Sequence, residues 1–515
     1  MAVPHPPRAG PMNVLLRRIL PLLIRCIFLA AVGIEPAANA HAGASAPART
    51  VPNIIVVMTD DQGYGELSCH GNPILQTPNL DRLHAASARF VDFTVSPTCA
   101  PTRAALLTGR HEFRSGISHT IYERERLDLH ATTLPEVLRA AGYATGIFGK
   151  WHLGDEPDYR PDRRGFEETF IHGGGGIGQT YPGSCGDAPG NSYHDPVVLQ
   201  NGRFVRTQGY CTDVFFSHAL DWIDSRRTED HPFFALITPN APHDPFITPG
   251  PAYEKLFENR GLGTNTVRYY SMIRNIDDNV GRLLDRLHAW DLDRSTLVIF
   301  LTDNGHSVSG IYNDRMRAMK GTPYRGGTRV PSFWRWTDHF PPGDRHQMAA
   351  HIDVLPTLAE LAGATLPRTL RRQLDGRSLL PALRNPDARW PERTLVTHVG
   401  RWPHGQAESW KHRGSSLRQG RYKLVNGTEL YDLQTDPAES INLAATHPAL
   451  VQRLLRRYDR WWNEVLPATT ANESARGPVL NPFKELYWQQ FGGSADAALL
   501  KTMDPDRKFA PPPAR

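Results

Sequence analysis

The chain has 515 residues, of which 40% are hydrophobic and 22% charged, and a formal net charge of +5. This composition excludes wholesale disorder and supplies enough apolar surface for one large domain plus a smaller one. There is no long Lys/Arg run, which argues against nucleic-acid binding and leaves any anionic ligand to be met by a local cluster of cations.

The first 40 residues differ from the rest. Arg8, Arg17 and Arg18 precede an apolar stretch from Ile19 to Ile34 that runs into Ala38-Asn39-Ala40, a small-residue cleavage pattern. Residues 1–40 therefore read as a secretory signal peptide, with a secreted or periplasmic destination. The stretch is short for a bilayer and is interrupted by Arg25, so no stable membrane span is expected once the signal is cleaved. An uncleaved anchor is the other outcome. Cleavage removes four arginines and one glutamate and lowers the net charge from +5 to +2. Cys69, Cys99, Cys185 and Cys211 remain, too few for a disulfide scaffold. Cys185 and Cys211 flank a Gly/Pro/Asn-rich loop and are the candidates for one bridge in an oxidising compartment, two separate buried thiols being the alternative. Cys69 reads as structural.

From residue 51 onward, short apolar runs alternate with helical patterns. Strands are predicted at Asn53 to Met58, Tyr143 to Phe148, Phe233 to Thr238 and Thr296 to Leu301, each apolar enough to be buried on both faces. Helices are predicted at Asn79 to Ala88, Thr133 to Ala141, Val214 to Ile223 and Tyr269 to Leu287. The alternation gives an α/β class with a large, mostly parallel sheet sandwiched by helices, spanning residues 51–380. After Pro381 the pattern changes to strands at Ser416 to Val425 and Thr428 to Leu433 and a helix at Ala449 to Glu464. This predicts a smaller α+β subdomain with an antiparallel sheet over residues 381–490, followed by a tail, 491–515.

Each long strand ends in chemistry: Asp60-Asp61, then Lys150 with His152, then His243, then Asp303-Asn304. Open α/β sheets bind ligands at the carboxyl ends of their strands. Adjacent carboxylates repel one another unless a cation joins them, and an all-oxygen set from Asp60, Asp61, Asp303 and Asn304 suits calcium or magnesium better than zinc. Aspartates paired with arginines are the bland alternative. Between these elements lies Cys99-Ala100-Pro101-Thr102-Arg103, where Pro101 suits a first helical position and Cys99 falls where helix-terminal N–H groups favour negative charge.

The Cys-x-Pro-x-Arg pattern of Cys99, Pro101 and Arg103 resembles the signature of the formylglycine-dependent sulfatases, in the alkaline phosphatase-like superfamily. The resemblance continues through Asp60-Asp61-Gln62-Gly63-Tyr64-Gly65, Gly149-Lys150-Trp151-His152, Ala241-Pro242-His243, Asp303-Asn304-Gly305, Lys320-Gly321-Thr322-Pro323 and Leu430-Tyr431-Asp432-Leu433. It implies that Cys99 is oxidised to formylglycine (3-oxoalanine) by a formylglycine-generating enzyme. The hydrated aldehyde then offers one hydroxyl to displace the alcohol from sulfur and a second to release sulfate. It also implies that Asp60, Asp61, Asp303, Asn304 and modified Cys99 hold Ca2+, with Mg2+ as an alternative, and that Asp303 helps activate the hydroxyl. Arg103 and Lys150 are implied to hold the hydrate, His152 to accept the proton that triggers elimination, and His243 with Lys320 to bind sulfate and protonate the leaving oxygen. The substrate is expected to be a sulfated carbohydrate or an aryl sulfate. His306 and His351 stay outside the catalytic set, the Gly173 to Gly176 run carries no assignment, and the loop from Tyr181 to Gln208 is a candidate substrate rim. Two rivals remain open: a formylglycine-dependent phosphonate monoester hydrolase or phosphodiesterase, and a non-catalytic binder of sulfated glycans.

Overall fold

Ten strands form the main sheet: β1 (Asn53–Thr59), β2 (Ala88–Phe90), β4 (Ala144–Lys150), β5 (Glu168–His172), β6 (Val197–Gln200), β7 (Arg203–Arg206), β8 (Phe233–Thr238), β9 (Thr296–Thr302), β11 (Ser332–Arg335) and β12 (Gly343–Arg345). They come from a computed structural model that describes residues 51–121, 123–179, 185–473 and 480–494. The expected signal peptide, the tail beyond residue 494 and part of the expected rim loop lie outside the described residues. The spatial order is β12-β2-β11-β9-β1-β8-β4-β5-β6-β7. The central five strands, β9 to β5 in that order, are mutually parallel, while β11, β6 and β7 join antiparallel.

The central strands are apolar because both faces are covered. Along β1, Ile54, Val56 and Met58 face a layer containing α2 (Cys99–Thr108) and α3 (Leu134–Ala140). Ile55 and Val57 face the opposite layer, built by α1 (Pro78–Ala85), α4 (Cys211–Arg226) and the long α5 (Thr264–Ala289). Each fully buried aliphatic side chain contributes about 1.5–3 kcal/mol, so period-2 alternation between two covered faces reads in the sequence as a continuous run.

A second sheet of three short strands, β3 (Phe93–Thr94), β10 (Arg329–Val330) and β13 (Ala349–Ala350), lies in the order β10-β3-β13. The third sheet is antiparallel: β14 (Thr394–His398), β15 (Ser415–Gln419), β16 (Tyr422–Val425) and β17 (Glu429–Asp432). Its core is aromatic. The helix Pro448–Thr469 sends Tyr458 and Trp462 against Trp402 and Leu430, and Phe113 from the region of the main sheet joins the same cluster. Arg418 of β15 reaches Asp92 with NH1 at 2.7 Å from Oδ1.

The structure corrects four sequence-based expectations. The run expected as one strand from Ser416 to Val425 is a hairpin, since Gly420 takes φ 55° and turns the chain between β15 and β16. The helix expected to reach Ala88 stops at Ala85, because Ala88 pairs with Trp334 of β11. Pro101 lies at the third position of α2, which begins at Cys99, still within the turn whose N–H groups have no intrahelical acceptor. Cys185 and Cys211 are both unbridged. Cys185 packs its sulfur 3.2 Å from His152 Nε2, while Cys211 opens α4 within the apolar layer.

Candidate active site

The site forms where β1 and β9 run side by side, with Thr59 opposite Thr302. Each strand hands its last backbone direction to an acidic pair, so Asp60-Asp61 and Asp303-Asn304 emerge together. All four side chains are fully buried. Asp61 adopts φ 63°, a left-handed conformation that costs a non-glycine residue of order 1–3 kcal/mol. It is held there by its N–H donating to Asp303 Oδ1 at 3.2 Å and by Tyr269 donating its hydroxyl to the Asp61 carbonyl at 2.6 Å.

Cations answer these carboxylates one by one. Lys150, the last residue of β4, places Nζ 2.7 Å from Asp60 Oδ2. Arg103, one turn into α2, places NH2 2.8 Å from Asp303 Oδ2 and donates through NH1 to the Lys150 carbonyl at 3.1 Å. Lys320, from the loop after β9, lies 2.6 Å from Asp61, to which Asn304 also donates at 2.9 Å. Burial dominates the pKa of Asp60 and raises it, and burial with the charge of Asp60 pushes Asp303 up to about 6. For Asp61 burial is opposed by Lys320, His243 and Asn304, which together hold it well below the usual carboxylate range.

A divalent cation fits this arrangement. Asp60 Oδ1 and Asn304 Oδ1 are buried acceptors with no hydrogen-bond partner among the described residues, an expensive state unless something positive sits against them. Asp60, Cys99 and Asp303 offer donor atoms within 4.8 Å of one another, as do Asp60, Asp61 and His243. The set is dominated by oxygen, as calcium and magnesium require.

Cys99 stands at the start of α2, only 2% exposed. Beyond it opens a cavity of about 190 Å³ whose wall includes His152, His243, Lys320, Thr120 and Arg401. His152 also has a left-handed backbone, φ 61°, and donates Nε2–H to the Thr120 carbonyl at 2.8 Å. Burial and Lys150 keep it neutral, so Nδ1 carries the lone pair, and Nδ1 has no hydrogen-bond partner among the described residues. His243 donates Nδ1–H to the Asp244 carbonyl at 2.6 Å and directs Nε2 towards Asp61, 3.7 Å away. Burial and Lys320 lower its pKa to about 4, whereas Lys320, despite its own burial, is shifted upward by Asp61. Beside a neutral His243, then, Lys320 keeps its proton at the cavity wall.

The structure thus brings together Asp60, Asp61, Cys99, Arg103, Lys150, His152, His243, Asp303, Asn304 and Lys320. Several neighbours were not foreseen. The Gly173 to Gly176 run is one: a Cβ on Gly175 would stand 3.1 Å from His152 Cε1, and one on Gly176 would stand 2.9 Å from His243 Nδ1. Glycine there makes room for the two histidines. Arg401, from the segment after β14, donates to Thr120 Oγ1 at 3.0 Å and reaches the cavity from the C-terminal part of the chain. Single-residue contributions of this kind leave no sequence pattern. His306 donates Nδ1–H locally to the Val308 carbonyl, and His351 lies 2.8 Å from Ser96 Oγ beside Glu112, so neither lines the cavity.

The chain is similar to known proteins along most of its length. The profile described as Sulfatase matches residues 52–364, and the profile described as N-sulphoglucosamine sulphohydrolase, C-terminal, matches residues 315–459. Arylsulfatase A of Homo sapiens is 34% identical over 430 residues, covering 78% of this chain and 81% of the relative. N-acetylgalactosamine-6-sulfatase of Sus scrofa is 34% identical over 366 residues, covering 64% of this chain and 66% of the relative. Among solved structures, Ps i-CgsB in complex with k-i-k-neocarrahexaose superposes with a TM-score of 0.71 at 26% identity, covering 90% of this chain and 100% of that one.

Proposed function

Because this chain belongs to the sulfatase family and is a sulfuric ester hydrolase, we propose that it removes sulfate from sulfated carbohydrate, with formylglycine made from Cys99 as its nucleophile. A divalent cation, Ca2+ or Mg2+, would be held by Asp60, Asp61, Asp303, Asn304 and modified Cys99. The observation that carries this reading is the meeting of Cys99, Asp60 and Asp303 donors within 4.8 Å, with Cys99 also lining a cavity that Lys320 and Arg401 line. A carbohydrate substrate is supported by the solved neighbour, whose bound ligand is a neocarrahexaose.

When present, the hydrated aldehyde supplies one hydroxyl for in-line attack on sulfur and a second through which sulfate departs, and the cation eases the negative charge gathered there. The chain's own residues do the rest. Arg103 and Lys150, both buried and anchored on carboxylates, keep fixed positive charge around Cys99 and need no reorganisation as charge develops. Lys320 faces a sulfate entering the cavity and holds the proton that a departing alkoxide needs, with His243 beside it. His152, neutral and with Nδ1 unpartnered among the described residues, is the base that takes the proton when sulfate is expelled.

In this reading residues 51–380 are the catalytic part and residues 381–490 a subdomain that lends Arg401 to the cavity rim. The N-terminal segment directs export to a secreted or periplasmic location, and a formylglycine-generating enzyme acts on the chain during maturation. No helix among the described residues is long and apolar enough to cross a membrane.

The test has two arms. Mass spectrometry of the peptide from Phe90 to Arg103, prepared from the native host, is expected to show formylglycine at position 99. An active enzyme with unmodified cysteine there overturns the proposed nucleophile. A panel of defined sulfated saccharides, run beside an aryl sulfate and an aryl phosphonate, is expected to show sulfate release from a saccharide as the fastest reaction. Preference for the phosphonate overturns the substrate assignment.

A further inference from the structure

A second cluster of ligand-type side chains lies on the shoulder of the main sheet and shares no residue with the site above. Cys69 and His70 belong to the short 3-10 turn Ser68–His70, and His84 to the last turn of α1. One donor atom from each lies within 4.8 Å of the other two. All three are partly exposed and line a cavity of about 310 Å³ whose wall also holds Asp314, Asp344 and Arg89.

We propose that Cys69, His70 and His84 bind one zinc ion, with the fourth coordination position open to this cavity. The donors are one sulfur and two imidazole nitrogens, a set that suits zinc and is wrong for calcium or magnesium. In tetrahedral zinc sites such donors stand roughly 3.3–3.7 Å apart, so side-chain rotations of about 1 Å complete the shell.

The surroundings already perform the orienting work that zinc ligands need. His70 donates Nδ1–H to the Tyr64 carbonyl at 2.8 Å, which leaves Nε2 with its lone pair, and its ring stacks on Tyr64 at 3.8 Å. The Cys69 backbone N–H donates to Asp81 Oδ1 at 2.9 Å, and Ser68 Oγ holds Asp81 Oδ2 at 2.7 Å, fixing the turn against α1. Of the charged side chains on the cavity wall, two carboxylates face one guanidinium, so a thiolate adds the second net negative charge that offsets a dication. Coordination converts the Cys69 thiol to thiolate: one S–Zn bond forms, one S–H bond breaks, and the proton leaves to solvent with no change of oxidation state.

Cobalt substitution tests the site in the full mature chain, with its calcium or magnesium centre left saturated. One equivalent of Co2+ should give tetrahedral d–d absorption together with a thiolate-to-cobalt charge-transfer band, and Zn2+ should abolish both. Cys69→Ser should lose the charge-transfer band, and His84→Ala, which keeps the thiol, should weaken Zn2+ binding by at least about tenfold. Sulfate-ester turnover should be unchanged in both variants. Absence of the band in the parent overturns the proposal. So does a band that survives Cys69→Ser, which puts the metal on another thiol, and so does unweakened Zn2+ binding by a folded His84→Ala chain.

Discussion

Glu66 offers a perturbation whose size can be worked out in advance. The residue sits in the loop that leaves β1 after Asp60-Asp61, fully buried, and neither carboxyl oxygen has a hydrogen-bond partner of ordinary geometry among the described residues. Burial pushes its pKa up to about 8 from the usual 4.5. Between those two values the folded chain binds one proton more than the unfolded chain, so stability falls as pH rises, by about 1.4 kcal/mol per pH unit. At pH 7 the loss is about 3 kcal/mol, and at pH 5 less than about 1 kcal/mol. Glu66→Gln removes the titration while keeping the shape. The variant should therefore gain on the parent as pH rises, by about 2.5 kcal/mol between pH 5 and pH 7. The assay is urea unfolding of both chains at a series of pH values, with the divalent cation saturating throughout. Parallel pH profiles for parent and variant would refute the assignment of a buried, protonated Glu66. Gln62 donates to the Glu66 backbone carbonyl, and Glu66 Oε2 would stand 2.5 Å from a Cβ on Gly63, so Glu66 packs closely against the loop that carries Asp61.

Three further expectations concern the site itself. Asp60→Asn removes a donor and leaves the fully buried Lys150 without its carboxylate, so the cation dissociation constant should rise at least about tenfold; calorimetric titration with Ca2+ checks this, and an unchanged affinity counts against the cation site. Lys320→Ala should lower kcat/KM by about 10²–10³ with the fold intact by circular dichroism, and a loss of less than about tenfold would exclude Lys320 from the charge-stabilising set. Gly149→Ala should destabilise the chain by more than about 1–3 kcal/mol, because the residue sits at φ 122° and its Cβ would stand 2.0 Å from the Thr238 carbonyl oxygen. A urea midpoint equal to the parent's would show that β4 and β8 can part without cost.

What was legible in the sequence follows from how strongly each element depends on its own residues. The four central strands declared themselves because burial on both faces demands unbroken apolar runs, and the site residues stood out because each follows such a run. The edges did not. β6, β7, β11 and β12 are short and owe their pairing to neighbours far along the chain, while β14 follows a Pro/Arg-rich stretch with only five residues of its own. The hairpin between β15 and β16 was hidden because both flanks favour strand and only Gly420 marks the turn. Cys185 shows the limit of loop reading: composition left a bridge and a separate buried thiol equally open, and tertiary packing puts the sulfur on His152. Arg401 was invisible for a related reason, since one arginine in a loop acquires meaning only from the cavity it reaches.

The central position of β1 has a consequence for how the molecule is made. β1 leaves the ribosome first, yet its partners β8 and β9 begin 180 and 243 residues later. At about 5–20 residues per second, the interval is roughly 10–50 s. Throughout it, Ile54 to Met58 is an apolar, strand-prone segment with both edges unpaired, the kind of sequence that seeks any other extended chain. Slow translation between β1 and β8 should therefore lower the yield of correctly assembled protein while leaving the thermodynamics of the finished fold untouched.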